Sequence, residues 1–211
     1  MRVHVWRLLV SVVVGAIAID AAAIEPNVGD AHRVNLIART RVVVRVYNNL
    51  AGFSDDDERV SLNVAKDVFA SALVDIEWTD CKPGMCLTLA ADALKMRIVV
   101  SPPHGGPKPG VLGNAFVDSQ ASAGVLATVF IDRVQRLAHD VGIDYRVVLG
   151  RAIAHELGHL LLGTPTHGSG LMREVWSHDE LLGMCGDDWA FDPLDAAVIR
   201  DRLLHRSHPA L

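Results

Sequence analysis

The stretch "RAIAHELGHLLLGTPTHGSGLM", residues 151–172, places titratable side chains inside an apolar segment. His155, Glu156 and His159 lie among Leu, Ile, Ala and Gly residues, so hydrophobic packing does not account for them. Burying such groups without partners is costly, because each of them loses its hydrogen bonds to water. The sequence therefore predicts one partner that these three side chains share.

A helix over this stretch would give the two histidines a common face. We predict a helix over residues 145–162, with Asp144 as its N-cap and Gly163 at its C-terminal end. Residues four apart lie on the same side of a helix, so His155 and His159 can direct imidazole nitrogens at one ion. Nearly all other positions are apolar, which predicts that this helix lies in the core.

The HExxH pattern on a helix is typical of a zinc site. Zn²⁺ binds imidazole nitrogens in tetrahedral geometry, and a catalytic site keeps one position for water. Glu156, beside the ligands, is then placed to accept a proton from that water. We predict His167 as the third ligand. The alternatives lie further along the chain: Glu174, His178, Asp179 and Glu180. A chance pattern with two simply hydrogen-bonded histidines is the interpretation without a metal.

These residues resemble the signature of the metzincin zinc metallopeptidases, HExxHxxGxxH followed by a turn with a buried Met. The matching positions are His155, Glu156, His159, Gly163, His167 and Met172. Gly163 comes one residue later than in that signature, and His167 two residues later. The chain thus looks like a divergent, compact, bacterial-type member. The resemblance implies one Zn²⁺ per chain, with Met172 beneath it.

The remaining sequence predicts a single α+β domain. Periodicity and β-branched runs predict strands over 41–49, 74–80, 95–101, 111–118 and 124–134, and further helices over 53–73 and 191–206. The glycine within 111–118 is typical of an edge strand, whereas the apolar run 124–134 favours a central one. The resemblance implies a metzincin-like zincin fold, a twisted mixed sheet of about five strands with an active-site helix, after the last strand, and a C-terminal helix. It also implies that the edge strand pairs with an extended peptide.

The N-terminus and the cysteines predict export. Residues 1–23 combine a basic start, a short apolar run and small residues, which is typical of a signal peptide. An uncleaved anchor is the alternative. The mature domain, residues 24–211, would be periplasmic or secreted, and it has no further stretch suited to a membrane. In an oxidising compartment Cys81 and Cys86 can form a disulfide, which leaves Cys185 without a partner in the chain; three separate thiols are the alternative.

Charge and motif together indicate the class of partner. The formal net charge is −5 and the chain has no Lys/Arg run, which argues against nucleic acid. We expect an exported zinc-dependent metalloendopeptidase acting on a peptide or protein substrate. An exported zinc-binding protein without catalysis and a zinc hydrolase of non-peptide amides are the alternatives. Trp176 and Trp189 either line a specificity pocket or belong to the core.

Overall fold

The computed structural model describes residues 39–48, 50–82, 86, 93–104, 106–118, 123–183 and 189–207. All of them belong to one compact unit. The predicted signal peptide and Cys185 lie outside the described residues. Within the described part of the chain, no helix combines the length and the apolar character needed to cross a membrane.

Within the described residues, five strands form one mixed sheet. They are β1 (Thr40–Asn48), β2 (Val74–Asp80), β3 (Leu94–Val99), β4 (Gly113–Asp118) and β5 (Ala123–Phe130). Their order across the sheet is β2-β1-β3-β5-β4, and only β4 runs antiparallel to its neighbour. The α+β class, the edge position of β4 and the interior position of β5 are confirmed.

In the described part of the chain, five α-helices accompany the sheet. They are α1 (Asp55–Ser71), α2 (Ile131–Val141), α3 (Tyr145–Leu162), α4 (His178–Leu181) and α5 (Pro193–Ser207). The predicted bounds of α3 are confirmed, because the Asp144 side chain accepts a hydrogen bond from Arg146 N and Gly163 ends the helix at φ 60°. The sequence predicts the first helix over residues 53–73. The helix instead ends at Ser71, and Leu73 adopts a left-handed φ of 61° before β2.

The prediction of one strand over residues 124–134 is wrong in its second half. β5 ends at Phe130, and α2 begins at the next residue. Ile131, Val134 and Ala138 form the buried face of α2. A short apolar run fits a strand and a buried helix face equally well, so periodicity did not separate them. Helix α3 comes after the last strand, as the resemblance implies, and α2 lies between them.

The predicted disulfide between Cys81 and Cys86 is confirmed. The two Cα atoms are 5.4 Å apart, within the usual range for this bond. Cys81 N donates to Val46 O, which extends the pairing of β1 and β2 by one residue. The disulfide therefore ties the chain after β2 to the end of that strand.

Helix α3 is the central element of the core. Every residue from Val148 to Leu162 except Arg151 is buried, and the helix packs on α1, β4 and β5. A Cβ atom at Gly150 would lie 2.4 Å from Ser61 O and 2.6 Å from Val64 Cβ. The two helices are therefore in backbone contact at Gly150, and this contact sets how closely α1 approaches α3.

We expect Gly150→Ala to destabilise the protein. At an exposed helix position the change would stabilise by about 1 kcal/mol, but here the methyl group meets a backbone oxygen that cannot rotate away. An overpacking cost of about 1–3 kcal/mol should outweigh the gain in helix propensity. Urea unfolding monitored by circular dichroism measures the difference. A higher free energy of unfolding in the variant would show that α1 can move away at no cost.

Candidate metal centre

The structure brings the three predicted histidines together. His155 and His159 lie on α3, and His167 lies on the loop that follows it. One ring nitrogen from each histidine lies within 4.8 Å of those of the other two. His155 and His159 are 7% and 5% exposed, whereas His167 is exposed to solvent. The three imidazoles are therefore positioned to hold one metal ion.

Backbone carbonyls orient the two buried imidazoles. His155 Nδ1 lies 2.9 Å from Leu171 O, and His159 Nδ1 lies 2.9 Å from Thr164 O. Since a carbonyl oxygen only accepts, each ring carries its proton on Nδ1. Both Nε2 atoms then present lone pairs, and these atoms are 3.1 Å apart. Neither nitrogen can donate to the other in these tautomers, but both can bind one cation, so the donor set fits a metal ion.

At neutral pH neither His155 nor His159 takes up a second proton, so both Nε2 atoms keep their lone pairs. Burial, with a smaller contribution from the neighbouring imidazoles, lowers the pKa of His155 to about 4. Burial likewise lowers the pKa of His159. Both rings are therefore neutral, which is the form that binds metals. The interpretation of two simply hydrogen-bonded histidines needs an Nε2 proton that this environment disfavours.

The loop after α3 accommodates the extra residues before His167. Thr164 O accepts the hydrogen bond from His159, and Thr164 Oγ1 accepts one from Thr166 N at 3.1 Å. The hydroxyl of Thr164 also donates to the Thr166 hydroxyl at 3.0 Å. This tight turn returns the chain toward α3. The longer spacing therefore still brings His167 to the other two histidines.

Met172 lies in a short 3₁₀ turn, Gly170–Met172, and is 1% exposed. A Cβ atom at Gly158 would lie 2.6 Å from Met172 Sδ, so the sulfur packs directly on α3 one residue before His159. Leu171 N donates to Ala190 O at 2.9 Å, which ties the turn to the chain before α5. The same turn supplies the carbonyl that orients His155, so its position controls one imidazole of the cluster.

Among the described residues, the carboxylates of Glu174, Asp179 and Glu180 do not belong to the histidine cluster. Glu180 forms an ion pair with Arg173, and it accepts a hydrogen bond from Ser177 N at 2.6 Å as part of the α4 capping box. Asp179 is exposed and lies 3.8 Å from His178. Among the described residues, the group that can hold a metal consists of the three histidines alone. The geometry favours His167 over Asp179 or Glu180 as the third ligand.

Glu156 is held between α3 and the edge strand. It is 7% exposed, and burial raises its pKa to about 8. A Cβ atom at Gly113 on β4 would lie 2.8 Å from both Glu156 Cγ and Glu156 Oε1, so the carboxyl group occupies the space that a side chain there would fill. A cation at the imidazoles would lower this pKa again, because an opposite charge favours the ionised form.

These side chains open into one cleft of about 550 Å³. The three histidines and Glu156 lie in it, residues 108–115 line one part of it, and residues 173–176 line another. The Trp176 ring lies 5.7 Å from that of His155 and lines the cleft. Trp189 packs edge-on against Trp176 at 5.0 Å and donates its Nε1–H to Glu180 O. Of the two tryptophans, Trp176 faces the cleft and Trp189 supports it.

Sequence reasoning missed the contribution of α2. Leu137 on this helix lines the cleft, and Arg133 contacts the loop that forms part of the cleft lining. The buried residues Ile131, Val134 and Ala138 recur at helical spacing, a signal that was present in the sequence. The assignment of residues 124–134 to one strand concealed it.

No protein-family model matches the chain, and no curated protein matches it in sequence. The metzincin resemblance therefore rests on residues 155–172 and on the geometry of their side chains. The structure itself establishes an α+β fold with a five-stranded mixed sheet. It also establishes a three-histidine cluster that is positioned for a metal ion.

We expect His167→Ala to weaken zinc binding while Glu180→Gln leaves it unchanged. His167 supplies a nitrogen to the cluster, whereas Glu180 is paired with Arg173. The loss for His167→Ala should exceed the roughly 10–100-fold typical of a lost outer-shell partner. Competition with a chromogenic zinc chelator measures both affinities. Weakened binding in Glu180→Gln with normal binding in His167→Ala would instead identify Glu180 as the third ligand.

Proposed function

We propose that this chain is an exported, zinc-dependent metalloendopeptidase of metzincin-like type. The observation that carries the proposal is the pair of Nε2 lone pairs 3.1 Å apart, with both Nδ1 atoms engaged by carbonyl oxygens. A buried carboxyl group, Glu156, lies beside them in the same cleft. A metal site and a proton acceptor within one cleft are what hydrolysis of an amide needs.

Zinc is the metal that the ligand set favours. Three imidazoles suit Zn²⁺ and leave one of its tetrahedral positions open. When bound, zinc supplies a water of lowered pKa and polarises the substrate carbonyl. Structural zinc sites instead use four protein ligands. The described residues offer a group of three, so catalysis is favoured over an exported binding protein with a structural zinc.

Glu156 acts as the general base. Its side chain leaves α3 one residue after His155, so the backbone of one rigid helix positions the base and two ligands together. The carboxylate accepts a proton from the attacking water and delivers it to the nitrogen of the leaving amine. The contact with Gly113 limits where the carboxyl group can move. This restriction keeps the Glu156 carboxylate beside the histidines that would bind zinc.

Strand β4 supports a peptide as the substrate. Phe130 N donates to Leu112 O at 2.8 Å, so Leu112 and Phe130 form a hydrogen-bonded pair. Hydrogen-bonded and non-hydrogen-bonded pairs alternate along an antiparallel ladder. The backbone groups of Gly113 and Ala115 therefore point away from β5, and no described strand pairs with that side. These residues line the cleft that contains the histidines. An extended peptide can add to this edge and pass the metal site, whereas a compact non-peptide amide would make no use of it.

The disulfide supports export. Bonds such as Cys81–Cys86 form and persist in oxidising compartments and are rare in the cytosol. This agrees with the signal peptide that residues 1–23 predict. The protein would then act in the periplasm or outside the cell.

We expect Glu156→Gln to abolish proteolysis while one zinc per chain is retained. The amide keeps the size of the side chain but cannot accept the proton, and loss of a general base costs about 10²–10⁴-fold in rate. Glu77→Gln is the matched control, because Glu77 is an exposed glutamate on β2, at the sheet edge opposite β4. Metal analysis and cleavage of casein, with and without a chelator, give the two readouts.

Three outcomes bear on this proposal. Zinc binding with casein cleavage that is lost in Glu156→Gln and kept in Glu77→Gln supports the metallopeptidase. Zinc binding without cleavage of any peptide favours the non-catalytic protein or a hydrolase of other amides. Full activity in Glu156→Gln would show that the general base is a different group.

We expect Gly113→Ala to lower the rate of peptide hydrolysis without loss of zinc. The new methyl group would lie 2.8 Å from the Glu156 carboxyl oxygen and 2.6 Å from Thr128 O, so the carboxyl group must move. Misplacement of a catalytic group by about 1 Å can cost about 100-fold in rate. Steady-state kinetics and zinc analysis on the same sample test this. Unchanged kcat in the variant would show that Glu156 does not depend on its contact with β4.

A further inference from the structure

Helix α2 holds the loop that joins β3 to β4 near both of its ends. Where the loop leaves β3, Asp132 N donates to Val100 O at 3.0 Å, and the Asp132 carboxylate accepts from the Ser101 hydroxyl at 3.0 Å. Where the loop approaches β4, Arg133 makes the contacts. Two consecutive residues at the start of α2 therefore bind the loop at separated points.

Arg133 binds three backbone carbonyls with one guanidinium group. Nη1 donates to Lys108 O at 2.8 Å and to Val111 O at 2.6 Å, and Nη2 donates to Pro107 O at 2.9 Å. The guanidinium carbon also lies 5.2 Å from the centre of the Phe130 ring. Hydrogen bonds from a charged donor are roughly twice as strong as neutral ones. The planar guanidinium presents several N–H groups in a fixed fork, which a lysine cannot reproduce.

Among the described contacts, the bound segment has little else to hold it in place besides a turn bond from Val111 N to Lys108 O at 3.3 Å. Residues 108–111 are exposed, so they contribute little to the core. The prolines at 107 and 109 have no backbone N–H to donate, and Gly110 has a φ of 95° that a side chain would disfavour. A segment with few buried apolar contacts opens easily unless specific bonds hold it. Arg133 supplies such bonds.

This segment is also part of the cleft. Residues 108–112 line it beside Glu156 and the histidines. Helix α2 contributes Leu137 to the same lining, while Arg133, one turn earlier, contacts the segment through its carbonyls. The position of the guanidinium therefore determines where this part of the cleft wall lies.

We propose that Arg133 is a positioning residue for substrate binding. It holds residues 107–111 as a preformed wall of the cleft and so sets the affinity for substrate, without contact with the metal ligands or Glu156. The effect on substrate affinity rests on the proposed peptidase function. The effect on the loop can be measured without any enzymatic activity.

The test uses the mature, zinc-loaded chain from residue 24 and three variants. Arg133→Gln removes the charge and the fork, Arg133→Lys keeps the charge alone, and Arg136→Gln changes an exposed arginine on the same helix as the matched control. Hydrogen exchange over residues 106–112 reports the loop directly. Zinc content, and KM and kcat with a fluorescence-quenched peptide derived from casein, report the site.

In Arg133→Gln we expect exchange over residues 106–112 to be about tenfold faster, because local opening becomes easier. We expect KM to rise about tenfold and kcat to change less than about threefold. The reason is that a loop no longer held in place must be ordered when the substrate binds, which weakens binding and leaves the chemical step unaffected. Zinc content should stay at the wild-type value. Arg133→Lys should fall between wild type and Arg133→Gln in exchange and KM, and Arg136→Gln should match wild type.

Unchanged exchange and KM in Arg133→Gln would overturn the proposal. So would loss of zinc, or a fall in kcat at constant KM, because either would place the effect at the metal centre. If Arg133→Gln does not fold, Arg133→Lys decides the matter by the same readouts. If the wild-type protein cleaves no peptide, the peptidase function fails, while exchange over the loop still shows whether Arg133 holds it.

Discussion

The rest of the site depends on the Nε2 atoms of His155 and His159, which face each other and cannot form a hydrogen bond. Their spacing comes from one turn of α3, but their tautomers are set by two carbonyl oxygens outside that helix. Leu171 O belongs to the turn that carries Met172, and Thr164 O belongs to the loop that leads to His167. The helix, the loop and the turn are therefore one unit, since a shift in either carbonyl would free an imidazole to rotate.

The burial of α3 gives the site its chemical character. Among the apolar neighbours of this helix the histidines stay neutral, and the pKa of Glu156 rises. The same burial makes the polar groups costly to keep without a cation, because a buried charge or lone pair needs a partner. Rigidity follows from the same packing, as backbone contact at Gly150 and sulfur contact at Gly158 leave α3 little freedom to shift. A catalytic constellation needs such a rigid support.

Two loop segments of the cleft lining, in contrast, contribute less to the core. Residues 173–175 follow the Met172 turn and are kept near α4 by the ion pair of Arg173 with Glu180. Residues 107–111 lie against α2 through Arg133. Polar contacts of this kind are weaker than core packing and are open to adjustment. If the proposed function holds, the chemistry lies on a fixed helix, and the substrate meets the edge strand β4 together with these loops.

The sequence by itself determined the elements whose signals are local. Capping residues and apolar periodicity predicted α3 between Asp144 and Gly163, and the HExxH spacing predicted the metal ligands and Glu156 on that helix. A turn between two cysteines predicted their disulfide.

Only the tertiary structure decided what depends on contacts distant in the chain. It divided the apolar run 124–134 into β5 and α2, because a buried strand and a buried helix face share the same composition. It favoured His167 over Glu180, because the geometry of a turn and the partner of a carboxylate are not encoded by spacing. It also brought Gly113 to Glu156 and Arg133 to the cleft loop, through sheet order and helix packing that no single segment specifies.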